Sequence, residues 1–372
     1  MRPAIPQAEI RALTGLRGVA ACMVMAYHFS TGWVLPEPAS TVLRHGYLAV
    51  DLFFVLSGFV MALTYGARFH AVPVRAAYGD FLVRRLGRIY PLYIVAAVIA
   101  VSFGLHDSYV RMSAAGLLAN GALVQTWGLA DCYLGPAWSL STELGAYVVF
   151  PVLVWLALRR GSVAACAGVA ACLLLVFLAT CSTPTLHQVI DGEPWRAGPL
   201  DVFGPGTLYP LLRCLAAFVL GMLAFRAACS RGVARLAAGE TAGIVSAALV
   251  LGLMAVPDAD IAIVLAFVPL IVALACSNGI VARLLAGPVP YWLGLVSYSI
   301  YLLHVLVERS ARDAISAALH AANLPHAAGL TMIVLCGASL GRAGASYALI
   351  EKPGRELART MLARRVAEAG AR

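Results

Sequence analysis

The chain has 372 residues, of which 61% are apolar and only 12% charged. Soluble domains carry about 25% charged residues, so this composition excludes a water-soluble globular protein and requires a lipid-embedded one. The net charge of +9 then reads as basic loops gathered on one membrane face rather than a nucleic-acid surface, and the nine cysteines form no CxxC or Cys/His pattern for a metal or a disulfide framework.

The N-terminus is basic and leads into an apolar run, 16–35, with no convincing cleavage site. It reads as an uncleaved signal anchor. Further apolar segments follow at 47–65, 89–104, 114–128, 137–158, 163–181, 208–225, 241–256, 261–276, 293–308 and 327–350. Charge decides which of them cross. If 114–128 crosses, Arg159, Arg160 and every later basic loop are inverted. If it is re-entrant or interfacial, Arg2, Arg11, the loop Arg68–Arg88, Arg159/Arg160, Arg226/Arg231/Arg235, Arg283 and the tail Arg355–Arg365 all face the cytoplasm. The opposite loops then hold Asp107, Asp131, Asp191, Glu193, Asp201, Asp258 and Asp260. The expected fold is therefore all-α: a polytopic transmembrane helical bundle of about ten spans plus one short re-entrant or interfacial segment. Both termini are cytoplasmic, and a single domain covers 1–372, with a core over about 11–356 and a tail at 351–372. Segments 241–256 and 261–276 are short for a full crossing.

The polar residues inside these segments form a pattern. Arg17 and His28 are eleven residues apart, about three helical turns plus 20°, so they share one face and stand about 16 Å apart along the axis. Counting in from the outer ends places His28, Asp51, Glu143 and His304 in the outer third of the membrane, with Arg213 at similar depth. Ser139 and Glu143 are i,i+4 neighbours. Ser297, Tyr301, His304 and Glu308 form one stripe that should face protein or water, not lipid. On the cytoplasmic side, Arg84, Arg85 and Arg88 serve as topology anchors, or Arg85 and Arg88 together as a phosphate site, since a guanidinium donates two parallel hydrogen bonds. Such a convergence suits an enzyme site or a proton-coupled transport site.

The chain resembles the integral-membrane type 3 acyltransferases. The resemblance runs in order through ALTGLRGVAACMVMAYHF (Arg17, His28), GYLAVDLFFVLSGFVMA (Asp51, Ser57, Gly58), FLVRRLGRIYPLY (Arg85, Arg88), PAWSLSTELGAYVVFP (Trp138, Ser139, Glu143), LGLVSYSIYLLH (Ser297, Tyr298, Tyr301, His304) and YALIEKPGR (Glu351, Pro353). Many such proteins carry a fused extracytoplasmic esterase-like domain; this chain resembles the stand-alone form. The resemblance implies a multi-pass protein of the bacterial cytoplasmic (inner) membrane. It implies transfer of an acyl group, most often acetyl, from cytoplasmic acyl-CoA to a hydroxyl of a cell-envelope glycan, a glycolipid or an exported small molecule. His28 is then the catalytic histidine, and Arg85 and Arg88 contact the donor. No metal and no nucleic acid is implied.

The chemistry of the residues agrees. O-acylation needs a base for the hydroxyl and stabilisation of a carbonyl oxyanion. Neutral His28 can be the base, oriented by Glu143 or Asp51. Donor phosphates would stay at Arg17, Arg85 and Arg88. Ser57, Ser139, Tyr301, or His28 itself could carry an acyl group, and His304 lines the same region; direct transfer and an acyl-enzyme both remain open. The competing class is a proton-coupled transporter or flippase of a glycan or lipid-linked sugar, although no inverted repeat or pair of matching broken helices is present.

Overall fold

The computed structural model describes residues 9–30, 35–71, 74–106, 110–159, 163, 166–171, 189–190, 193–194, 198–201 and 207–370. Among these the regular structure is helical, apart from a two-residue antiparallel pairing of Val189–Ile190 with Glu193–Pro194. In chain order the helices are α1 (Arg11–Phe29), α2 (Ala39–Arg44), α3 (Ala49–Tyr65), α4 (Arg68–Ala71), α5 (Val74–Ser102), α6 (Ala114–Gly121), α7 (Ala137–Val148) and α8 (Phe150–Val154). They continue as α9 (Tyr209–Ala228), α10 (Arg231–Ala237), α11 (Glu240–Met254), α12 (Asp260–Cys276), α13 (Ile280–Leu285), α14 (Pro288–Leu295), α15 (Ser297–Ala321), α16 (Ala327–Ser346) and α17 (Lys352–Gly370).

Five helices among the described residues are long and apolar enough to cross a membrane, or eight if each of three bent pairs counts once. The bent pairs are α7 with α8 (64°), α10 with α11 (79°) and α14 with α15 (68°). The first bend has a local cause: Pro151 opens α8 and has no N–H to continue the ladder of α7. Helix α12, with 17 residues, is shorter, and most of the expected segment 163–181 lies outside the described residues. The chain is thus a membrane helical protein, with five to eight full-length crossings described rather than ten.

No helix long enough to cross forms over 114–128. Helix α6 has eight residues, about 12 Å of rise. The backbone beyond it is irregular and is satisfied from within the protein, as lipid requires. Asn120 donates to the Asp131 carbonyl (2.8 Å) and accepts from the Tyr133 amide (3.0 Å). Thr126 N donates to Ser141 Oγ, and Trp127 Nε1 to the Ser141 carbonyl. Helix α7 therefore starts from a buried turn: Tyr133, Leu134 and Ala137 are at most 1% exposed.

Helices α3 and α9 pack backbone to backbone. A Cβ on Gly58 would lie 1.9 Å from the Phe218 carbonyl oxygen, and a Cβ on Gly221 would lie 1.9 Å from the Val55 oxygen. Small residues at such crossings let backbones approach. Gly58→Val should destabilise the protein by at least about 1–3 kcal/mol, the usual range for overpacking, read as a lower unfolding midpoint in detergent. An unchanged midpoint would show that the helices can part freely.

Candidate active site

Two cavities lie along α1. The arginine cavity, about 80 Å³, is lined by Arg17 of α1, Ser57 of α3, Arg85 and Arg88 of α5, Ser139, Glu143 and Tyr147 of α7, and Ser297, Tyr298 and Tyr301 of α15. The histidine chamber, about 780 Å³, is lined among others by His28, Tyr47, Trp138, Asp201, Arg213, Tyr301, Glu308 and Arg312. Val50 and Tyr301 line both. Arg17 and His28, about 16 Å apart along one helix face, thus each line one of two adjoining cavities.

His28 does not meet Glu143 or Asp51. Its Nδ1 lies 2.9 Å from the Val24 carbonyl and 3.3 Å from Nε2 of His304, with ring centroids 4.8 Å apart. His304 is fully buried, and its own Nδ1 lies 3.2 Å from the Ile300 carbonyl. One tautomer pattern satisfies all three contacts: His304 Nδ1–H donates to Ile300, and His28 Nδ1–H is shared between Val24 and His304 Nε2. That pattern leaves the lone pair of His28 on Nε2, the arrangement a general base requires.

Glu143 belongs to the arginine cavity instead. Its Oε1 accepts from Ser57 Oγ at 2.5 Å and from Tyr147 OH at 2.7 Å, and it lines that cavity together with Arg17. The expected placement beside His28 fails because α7 begins inside the protein, so counting six residues from a membrane surface misjudges its depth. Asp51 is committed elsewhere too. Arg213 Nε and Nη2 reach its two oxygens at 2.8 and 2.5 Å, and both side chains are 1% exposed. Arg213 also stacks 5.4 Å from the ring centres of Tyr47 and Trp138. A carboxylate held by a buried bidentate arginine orients no histidine; of the pair, Arg213 lines the chamber.

The stripe on α15 does face inward. Ser297 and Tyr301 line the arginine cavity, His304 touches His28, and Glu308 reaches the chamber, where it holds Arg312 at 2.6 Å. At the junction, the hydroxyls of Tyr301 and Ser139 are 2.7 Å apart, and both reach the Pro136 carbonyl (3.0 and 3.1 Å). Arg85 donates to Tyr65 OH at 3.1 Å, while the buried Nε groups of Arg17 and Arg85 have no protein acceptor. Buried donors of this kind demand an explanation, and an anion entering the cavity supplies one. Tyr147 was missed by the sequence reading, though its signal was present: Ser139, Glu143 and Tyr147 recur every four residues. Among the described residues no group of three or more His, Cys, Asp or Glu side chains could hold a metal ion.

This architecture suits a two-substrate reaction or a transport path, and comparison with known proteins separates them. The acyltransferase-domain family (Acyl_transf_3) matches residues 10–342. The chain belongs to this family, the type 3 acyltransferases. It is 30% identical over 379 aligned residues to the acyltransferase MdmB of Streptomyces mycarofaciens, covering 93% of this chain and 91% of that one. It is 25% identical over 167 residues to the peptidoglycan O-acetyltransferase OatA of Listeria monocytogenes, covering 40% of this chain and 25% of that one. Over 222 residues it is 25% identical to the O-acetyltransferase OatA of Staphylococcus aureus strain NCTC 8325, covering 56% and 34%. No solved structure matches the chain.

Proposed function

We propose that this acyltransferase moves an acyl group, acetyl by likeness to the O-acetyltransferases above, from acyl-CoA to a hydroxyl. The acceptor is a cell-envelope glycan or glycolipid, or an exported hydroxyl compound. The observation that carries the reading is the pairing of Arg17 and His28 on one helix between two cavities that meet at Val50 and Tyr301. In this reading the arginine cavity faces the cytoplasmic side of the bacterial inner membrane, both termini are cytoplasmic and the chain crosses ten times in all, a topology that the basic loops support. Donor phosphates sit at Arg17, Arg85 and Arg88. The thin pantetheine arm enters the cavity and brings the thioester to the junction.

The acceptor enters the histidine chamber, whose volume falls within the ~300–1,000 Å³ range of small-molecule pockets. His28 Nε2 takes the proton of the acceptor hydroxyl as its oxygen attacks the thioester carbon. The new C–O bond forms, the C–S bond breaks, and the proton passes to the departing thiolate. The net change is R–OH plus acyl thioester to R–O–acyl plus thiol. The Val24 carbonyl and His304 hold the imidazole in the reactive tautomer, which makes His304 a positioning residue. The junction hydroxyls of Tyr301 and Ser139 stand near the path of the developing oxyanion. Membership of an acyltransferase family sets this reading above that of a transporter or flippase.

The donor half of the proposal has a direct test. Arg85→Ala and Arg88→Ala should each weaken CoA binding at least tenfold, since a charged hydrogen bond contributes about 1.5–3 kcal/mol. Lysine at either position should restore only part, for lack of the bidentate fork. Titration of the purified variants with CoA decides it, and unchanged affinity in both alanine variants would return these arginines to topology anchors.

A further inference from the structure

The three donor arginines above come from α1 and α5. A fourth guanidinium joins them from the last helix, beyond residue 342 where the family match ends. Arg355 of α17 interacts electrostatically with Arg17 and with Arg88, and Arg88 in turn feels Arg17, Arg355 and Arg85 against the opposite charge of Glu351. Helix α17 is set there by close packing. A Cβ on Gly87, between Arg85 and Arg88, would lie 2.3 Å from Ala358 Cβ, and a Cβ on Gly354 would lie 2.7 Å from Pro91 Cγ.

The charges do not balance within this group. Four guanidinium groups face two carboxylates, Glu143 and Glu351, an excess of about two positive charges. Glu351 is fully buried and already accepts from Ser299 Oγ (2.5 Å) and from Arg355 Nη2 (2.6 Å). The Glu351 contact engages one of the five N–H donors of Arg355. The Nε groups of Arg17, Arg85 and Arg355 are all buried without a protein acceptor. Such a surplus of charge and of donors fits a ligand with several phosphate groups, not one.

Position separates Arg355 from the others. It does not line the arginine cavity, and that cavity, at about 80 Å³, is too narrow for a nucleotide. A nucleotide must therefore remain outside it, and α17 packs against the stretch of α5 that carries Arg85 and Arg88. Resting on the acyl-CoA reading above, we infer that Arg355 binds the phosphate of the donor most distant from the thioester, the ribose 3′-phosphate of CoA. The C-terminal helix is thus part of the donor site.

The test is the affinity of the purified full chain for CoA and for 3′-dephospho-CoA. The wild type should bind CoA at least tenfold more tightly. Arg355→Ala should abolish that preference, losing affinity for CoA while binding 3′-dephospho-CoA as before; Arg355→Gln, closer in size, serves if the alanine variant does not purify. Arg85→Ala should weaken both ligands together. A helix staple without a ligand contact would shift both affinities equally or neither, and either result overturns the assignment. Equal binding of the two compounds by the wild type overturns it while leaving the acyl-CoA reading intact. Binding of neither overturns both.

Discussion

His28→Ala is expected to lower acyl transfer by about 10²–10⁴-fold, the contribution of a positioned general base, while CoA binding persists. The two outcomes separate because His28 and the donor arginines line different cavities. Nothing in the arginine cavity is removed by the substitution. Protection of the variant against heat unfolding by CoA should match that of the wild type, since a ligand that binds only the folded state raises the unfolding midpoint by an amount set by the logarithm of its concentration over its Kd. Turnover within a few-fold of wild type would remove His28 from the chemistry. Loss of CoA protection together with turnover would mean a general collapse of the site.

The second large effect concerns stability. Asp51→Asn or Arg213→Ala should each destabilise the protein by about 3–5 kcal/mol, because breaking a buried ion pair leaves its partner charge uncompensated. Both side chains are 1% exposed and joined by two hydrogen bonds. The combined replacement Asp51→Leu with Arg213→Met should recover much of that loss, since apolar pairs of similar volume often replace buried ion pairs without penalty. Unfolding midpoints in detergent for the single and combined variants check this. Strict additivity of the two losses would contradict the pairing.

Much of the site was legible because it depends on single helices. The alignment of Arg17 with His28 follows from 3.6 residues per turn in an unbroken helix. The stripe of Ser297, Tyr301, His304 and Glu308 follows from the same periodicity in α15. What crosses between helices was not legible. Depth counting from assumed surfaces joined Glu143 to His28, yet α7 starts at a buried turn and its carboxylate turns to Ser57 and Tyr147. Asp51 stands at the expected end of α3, but no local pattern tells that Arg213, 162 residues away, occupies it. Arg355 reads in sequence as one more basic residue of the tail. Only the packing of α17 on Gly87 and Pro91 brings it to Arg88. Loop charge argued against a full crossing over 114–128, because inverting every later basic loop is a global penalty that one short segment cannot offset, and the eight-residue α6 agrees with that reading.

The central claim, a hydroxyl acylated from acyl-CoA by a base at His28, is tested most directly by label transfer. Purified wild-type and His28→Ala proteins are incubated with acetyl-CoA labelled in its acetyl group and with extracted cell-envelope material. Hydroxylamine then releases any ester-bound label. The wild type should place label in a hydroxylamine-labile product, and His28→Ala should place at least about 10²-fold less while still being stabilised by CoA. Equal labelling by the two proteins, or none from acetyl-CoA by a wild type that CoA fails to stabilise, would contradict it.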